Sequence, residues 1–361
     1  MPKPKFVQPS VTFTQELKRR IDAYFDDNNI DKTGNGKLFS KAVILASLLI
    51  LTYVHLVFFT PVTWLAILET LLLSTVVAAI GFNIMHDGGH GSFSNNKVLN
   101  KVAAYSLDLL GGSSYMWNMK HNIIHHTYTN VEGVDDDIET QPWMRMSPTQ
   151  KKMKMHKYQH VYFWFFYCLL YFAWIFQADF KKYFTQKIGS VELQKMKTKD
   201  HISFWAGKVL FASIFMVIPI AMLGLKVWLI GFSIFLAFTG LLIAMVFQLA
   251  HTVEHTEMVA ATPTDTNVDI IEDEWTQHQL KTTANFATNN RIVNWFTGGL
   301  NFQVEHHLFP RISHVHYPAI SKIIKQVCDE YDVRYNEYKR TRDAIVSHVR
   351  FLRYMGTAAQ A

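Results

Sequence analysis

The sequence predicts an all-α integral membrane protein. It reads as one domain over residues 1–361, with four transmembrane helices in two hairpins and a cytoplasmic helical cap carrying a histidine-rich site. Three observations lead there. Apolar residues, 49% of the chain, are bunched into long runs; Lys and Arg avoid one side of those runs; and three dense histidine clusters fall on the other side. A spanning helix needs about 20 mostly apolar residues. Residues 42–60 contain no Lys, Arg, Asp or Glu, and 62–85, 203–225 and 227–250 are similarly long and apolar. The first run starts too deep for a cleaved signal peptide, and no small-residue cleavage site follows it.

Charge placement orients the spans. Of 35 Lys and Arg, eight lie in residues 1–41, fourteen in 86–202 and eleven after 251. The positive-inside rule then puts both termini and the cap segments 86–202 and 251–361 on the cytoplasmic side. The net charge of +6 reads as topology and contact with anionic lipid. No nucleic-acid-binding motif interleaves the basic residues, which excludes nucleic acid as a partner.

The remaining segments follow in order. Residues 1–37 are polar, with "DKTGNGK" as a loop, and 97–117 has mixed helical character. Residues 161–177 are apolar enough to span, but ten of the seventeen are Phe, Tyr or Trp, a composition suited to the interface plane. A fifth span there would put the histidines of 121–126 and those after 250 on opposite faces, so the segment is expected to be interfacial or shallowly re-entrant. Residues 178–202 form a charged connector, 257–274 an acidic surface loop, and the chain from 317 an amphipathic basic helix. Within the spans, His55 and Glu69 lie at similar depth and are expected to pair, because charge is costly there. Two cysteines, Cys168 and Cys328, suggest no disulfide framework and cannot supply an iron–sulfur tetrad.

Of seventeen histidines, seven sit in "HDGGH" (86–90), "HNIIHH" (121–126) and "QVEHH" (303–307). His86 and His90, His121 and His125, and Gln303 and His307 are each four apart, so on a helix each pair shares a face. The adjoining His126 and His306 point about 100 degrees away, so one box can feed two neighbouring metals. Clustered neutral imidazoles would leave acceptors unsatisfied and clustered imidazoliums would repel one another; metal coordination resolves both. His156, His160, His201, His278 and His348, lying outside the clusters, read as ordinary structural residues. Imidazole suits Zn, Cu, Fe and Ni, and a structural zinc is satisfied by four ligands, so seven nitrogens imply two metals. A thiolate-free pair with open positions beside a membrane fits oxygen-activating iron better than hydrolytic zinc. "HTVEH" (251–255) also reads as an inverted zinc-peptidase motif with Glu254 as base, although it leaves the other clusters unexplained. A divalent-metal transporter would need its ligands near mid-bilayer, whereas these lie at span ends.

The three boxes, together with "QLAH" (248–251), "TTANFATNN" (282–290) and "WFTGGLNFQVEHHLFPRISHVHYP" (295–318), resemble the membrane fatty-acid desaturases. The glutamine of the third box resembles the front-end branch of that family. The resemblance spans roughly residues 40–330. It implies a non-haem di-iron centre held by His86, His90, His121, His125, His126, His306 and His307, with His251 as an extra ligand outside the boxes. Gln303 is expected to touch metal or hold a water on it, and His255, four residues after His251, is a further candidate. Asp87, Asp135, Asp136, Asp137 and Glu305 are candidates to orient the imidazoles. The implied reaction is O2-dependent insertion of a cis double bond into an acyl-CoA or acyl-lipid chain, between the carboxyl end and an existing double bond, at delta-6 or a similar position. A fatty-acyl hydroxylase on the same centre is the neighbouring alternative. Lacking a Cys tetrad, a dinucleotide fingerprint and a His-Pro-Gly-Gly haem motif, the sequence implies a separate ferredoxin or cytochrome b5 as electron donor. That pattern suggests a bacterial inner membrane.

Overall fold

The computed structural model describes residues 4–6, 11–261, 270–271 and 273–359; part of the expected acidic loop, 262–269 and 272, lies outside them. The chain is mainly helical. Helix α1 (Val11–Asp27) precedes α2 (Gly36–Phe59) and α3 (Thr63–His90), which form the first apolar hairpin. Asn35 caps α2 by accepting the Lys37 N–H, so the helix starts six residues before the apolar run does. Helix α3 continues past its apolar run through "HDGGH", so the first histidine pair stands on the last turn of a long helix.

Helix α4 (Lys97–Leu109) and the helical stretch 114–128 (α5) then lead to α6 (Lys154–Thr185), α7 (Thr198–Leu223) and α8 (Leu225–His251). Gly224, at φ 78°, makes the turn between α7 and α8, a left-handed backbone that favours glycine. Five helices are thus long and apolar enough to cross a membrane, α2, α3, α6, α7 and α8, where the sequence suggested four. The difference is α6. The polar residues on both sides of the aromatic run 161–177 continue its helix to 32 residues, Lys154–Thr185. It lies along α8, where a Cβ on Gly240 would stand 2.8 Å from Tyr167 O and 3.0 Å from Cys168 O. Only glycine permits that approach.

The core between these helices joins Val76, Ile80 and Phe82 of α3, Tyr171 and Ile175 of α6, Phe211 and Phe215 of α7, and Phe235 and Val246 of α8. His55 Nδ1 lies 2.8 and 2.9 Å from the Glu69 oxygens, the pairing expected from their depth.

The cap is completed by α9 (Trp275–Thr282), α10 (Arg291–Phe296), α11 (Gln303–Leu308), α12 (Tyr317–Glu330) and α13 (Thr341–Thr357). Phe13, Leu17, Ile21 and Phe25, spaced by four on α1, bury one stripe against Ile320, Ile324 and Val327 of α12 and Val304 and Leu308 of α11. Each fully buried side chain of this kind contributes about 1.5–3 kcal/mol. A short parallel pair, Asn285 with Glu337 and Phe286 with Tyr338, ties the approach to α11 to the approach to α13.

Candidate metal centre

Four elements carry the histidines to one place. His86 and His90 leave the last turn of α3 with ring centroids 4.6 Å apart. His251 is the last residue of α8. His306 and His307 stand on the short α11, which is pinned from behind. Asn285 Oδ1 accepts the Val304 N–H at 2.9 Å, while the Glu305 carboxylate accepts from Asn285 Nδ2 at 2.7 Å and from the Tyr335 hydroxyl at 2.5 Å.

The second box departs from the expected geometry. Residues Asn118–His125 are wound as a π-helix, whose wider turn brings residues five apart together. His121 and His126 therefore meet, with Nε2 atoms 3.2 Å apart, while His125 turns towards His251 and His307, at ring distances of 4.7 and 5.0 Å. The expected sharing of one point by His121 and His125 fails because it assumed 3.6 residues per turn. Two adjoining groups result: His86, His90, His121 and His306 form one, and His125, His251 and His307 the other. His126 stands between them, grouped with His306 and His307. Within each group one ring nitrogen from every member lies within 4.8 Å of the others.

Hydrogen bonds fix the tautomers on the second group. An oxygen of a carbonyl or carboxylate can only accept, so a facing Nδ1 must be N–H. His125 donates to Asp135 Oδ2 at 3.0 Å, His307 to Gln279 Oε1 at 2.8 Å and His251 to Thr282 O at 3.3 Å. Each is left with a lone pair on Nε2, the arrangement of a metal-ligating imidazole whose other nitrogen is held. Buried ring nitrogens with no hydrogen-bond partner among the described residues include His90 Nε2, His125 Nε2, His126 Nδ1 and His306 Nε2. An unmatched buried polar atom costs about 1–3 kcal/mol, and a set of converging neutral nitrogens without thiolates suits a pair of borderline metal ions. The residues present fit that requirement.

Protonation agrees. Burial first, and then repulsion from neighbouring imidazoles, holds His121, His126, His306 and His307 well below the ordinary histidine range. They are neutral at physiological pH. His125 differs: burial pulls it down, but the charge and hydrogen bond of Asp135, with Asp137 behind, hold it above its ordinary value. The acidic pair makes it the stronger base.

Other expected site residues are placed differently. His255 is exposed and stacks on Tyr338, with ring centroids 5.8 Å apart. Helix α8 stops at His251, so residues 251 and 255 share no face. Glu254 is exposed, 3.7 Å from Arg350. Asp87 holds no site imidazole; its Oδ2 accepts from Ser313 Oγ at 2.7 Å and His314 Nδ1 at 3.0 Å, tying the first box to the chain after the third. Glu305 faces Asn285 and Tyr335 because it lies on the opposite side of α11. Of the three adjacent aspartates, Asp135 and Asp137 reach His125, at 3.0 and 3.3 Å, whereas Asp136 pairs with Lys120 and Lys182. Gln303 stands at the second group, Nε2 2.8 Å from His251 Nε2 and 3.4 Å from His307 Nε2, with its Oε1 unpartnered.

Sequence reasoning missed two supports. Trp117 stacks on His121 at 4.5 Å and meets the rings of His86 and His90 edge-on; its place four residues before His121 was a usable signal. Gln279, which orients His307, carried none.

The fatty acid desaturase family model matches residues 62–339. The sn-1 linoleoyl-lipid 6-desaturase of Arthrospira platensis is 36% identical over 348 residues, covering 96% of this chain and 93% of that protein. The enzyme of the same name from Synechocystis is 36% identical over 349 residues, 96% of each chain. An acyl-lipid (8-3)-desaturase of Physcomitrium patens is 33% identical over 345 residues, 94% of this chain and 71% of that protein.

Proposed function

We propose a substrate and bond position for this chain, which belongs to the fatty acid desaturase family and is an oxidoreductase that introduces a double bond into an acyl chain. From that premise we propose that it acts on a linoleoyl-type group of a membrane lipid, inserting a cis bond on the carboxyl side of the existing ones, at delta-6 or nearby. The names of the relatives from Arthrospira platensis and Synechocystis support this substrate and position, as does the glutamine of the third box.

The observation that carries the reading is the convergence of eight histidines, from three boxes and the end of α8, into two adjoining groups. His86, His90, His121 and His306 would hold one iron, and His125, His251 and His307 the other, with His126 between. The iron pair, when bound, supplies the O2-dependent removal of two hydrogens from neighbouring methylenes. The protein's own residues do the rest. Asp135, Gln279 and Thr282 hold the Nδ1 protons of His125, His307 and His251 so that Nε2 faces inward. Trp117 and Phe247, the latter 6.2 Å from the His121 ring, wall the first group with apolar surface and exclude water. Gln303 presents an amide at the second group, able to ligate or to hold a water.

The same convergence bears on topology. His125 and His251 lie in one group, so an even number of crossings must separate them. With α7 and α8 crossing, α6 cannot cross as well. We therefore infer four spans in two hairpins, with boxes and termini on the cytoplasmic side of a bacterial inner membrane, and electrons supplied by a separate ferredoxin or cytochrome b5.

The test is product analysis in a host with its own electron donors, fed linoleate, comparing the protein with His121→Ala. A new bond on the carboxyl side, present only with the unaltered chain, is the expected result. A hydroxylated product or a methyl-side bond would refute the proposal.

A further inference from the structure

His251 is the one site histidine outside the boxes, and it sits where a long helix ends. Past it the backbone turns away, with Thr252 at φ −126° and ψ 62°. Something must hold that departing chain if His251 is to keep its place. Two consecutive residues of the C-terminal helix α13 do so. Ser347 Oγ accepts the Glu254 N–H at 2.9 Å. His348 Nδ1 lies 2.7 Å from Thr252 O and 3.1 Å from Thr252 Oγ1, and its Nε2 lies 2.7 Å from the Tyr167 hydroxyl on α6.

The tautomer follows from the partners. Thr252 O can only accept, so His348 Nδ1 carries the proton and Nε2 accepts from Tyr167. The imidazole is fully buried and both of its nitrogens are used. Helix α13 is itself fastened. Arg145, fully buried, donates through Nη1 to Met355 O at 2.7 Å and Ala358 O at 3.0 Å, and Gln159 Nε2 donates to Leu352 O at 2.8 Å.

We infer that His348, held by Tyr167, is a positioning residue for the second metal position: through Thr252 it fixes the end of α8 and so the ring of His251. This rests on the assignment of His251 as a ligand under the proposed function. It makes the C-terminal helix part of the metal centre's support, although α13 contributes no ligand.

The test compares His348→Phe, His348→Gln and Tyr167→Phe with the unaltered protein, purified in detergent and loaded with iron. Iron per folded chain, Mössbauer spectra and the rate of iron release to a chelator are read alongside the melting temperature. Phe fills the ring space but severs both hydrogen bonds; Gln can donate to Thr252 O and accept from Tyr167. His348→Phe should fall from two irons to about one per folded chain, with one Mössbauer component lost, and His348→Gln should recover the second. Tyr167→Phe, which only frees the ring, should release one iron about tenfold faster, in the range of supporting-residue effects. Should His348→Phe fail to fold, the Tyr167→Phe release rate decides the matter. Two irons with unaltered release in the folded variants would overturn the inference, as would loss of both irons in step. An unaltered chain that cannot bind two irons would instead overturn the metal assignment beneath it.

Discussion

Asp135→Asn isolates the charge behind one metal position from the packing around it. Asp135 is fully buried; its Oδ2 accepts from His125 Nδ1 at 3.0 Å and from the Asn130 N–H at 2.9 Å, and its Oδ1 accepts the Asp137 N–H at 3.1 Å. An asparagine keeps the shape and offers one oxygen and one NH2. Placing the oxygen at Oδ2 preserves two of the three bonds and sets the NH2 against the Asp137 N–H, at a stability cost of about 1–3 kcal/mol. The charge that strengthens His125 is gone in either orientation. Loss of such a partner weakens metal binding about 10- to 100-fold, or roughly 1.4–2.8 kcal/mol. Competition titration of iron against a chelator reads the affinity, and melting of metal-depleted protein reads the structural cost separately. Asp87→Asn is the control, since it bonds Ser313 and His314 rather than a site histidine; it should lower the melting temperature with iron affinity within about threefold of the original. Unchanged affinity in Asp135→Asn would refute the reasoning.

Three further outcomes are expected. Gly89→Ala would drive a methyl group into the ring of Trp117, which stacks on His121; overpacking of this kind costs about 1–3 kcal/mol, and iron analysis should show the first group weakened. His255→Ala should leave iron content and product yield unchanged, because the ring is exposed and stacks on Tyr338. Asp108 is raised to about 6, by burial first and against hydrogen bonds from Ser114 and Ser203. A carboxyl raised on folding contributes stability that is full below its unfolded value near 4 and is lost as pH rises through 6. Melting temperature should therefore fall over that window, with a loss of about 2–3 kcal/mol, and Asp108→Asn should flatten the dependence.

The spans and the histidines were legible because both signals are local in the chain. An apolar run announces a helix wherever it packs, and the predicted starts missed mainly where polar first turns precede the run, as between Asn35 and Lys41 of α2. Pairing of His55 with Glu69 followed from depth alone. The π-helical winding of the second box was not legible, since one residue's worth of extra turn depends on what packs around residues 118–125. Nor was the isolation of His255, which depends on where α8 ends, or the turning of Asp87 towards His314. Spacing identified which residues gather; backbone winding and helix ends decided how they divide.

That division has a consequence for stability. The site is assembled from the ends of α3 and α8 and from α5 and α11, elements far apart in the chain whose imidazoles have surrendered water. Among the described residues, four ring nitrogens of the site lie buried without hydrogen-bond partners, each costing about 1–3 kcal/mol against a net stability of roughly 5–15 kcal/mol for a domain. Metal binding at such a site is in part folding energy. The membrane core of Phe211, Phe215 and Phe235 contains none of the eight histidines. Removing iron should therefore loosen the cap while the spans persist. Hydrogen exchange of the metal-depleted protein should rise in residues 114–128 and 303–308 and stay unchanged across α7. A uniform rise through both regions would mean that cap and spans unfold as one unit, and that the histidines are held by the surrounding packing rather than by what they bind.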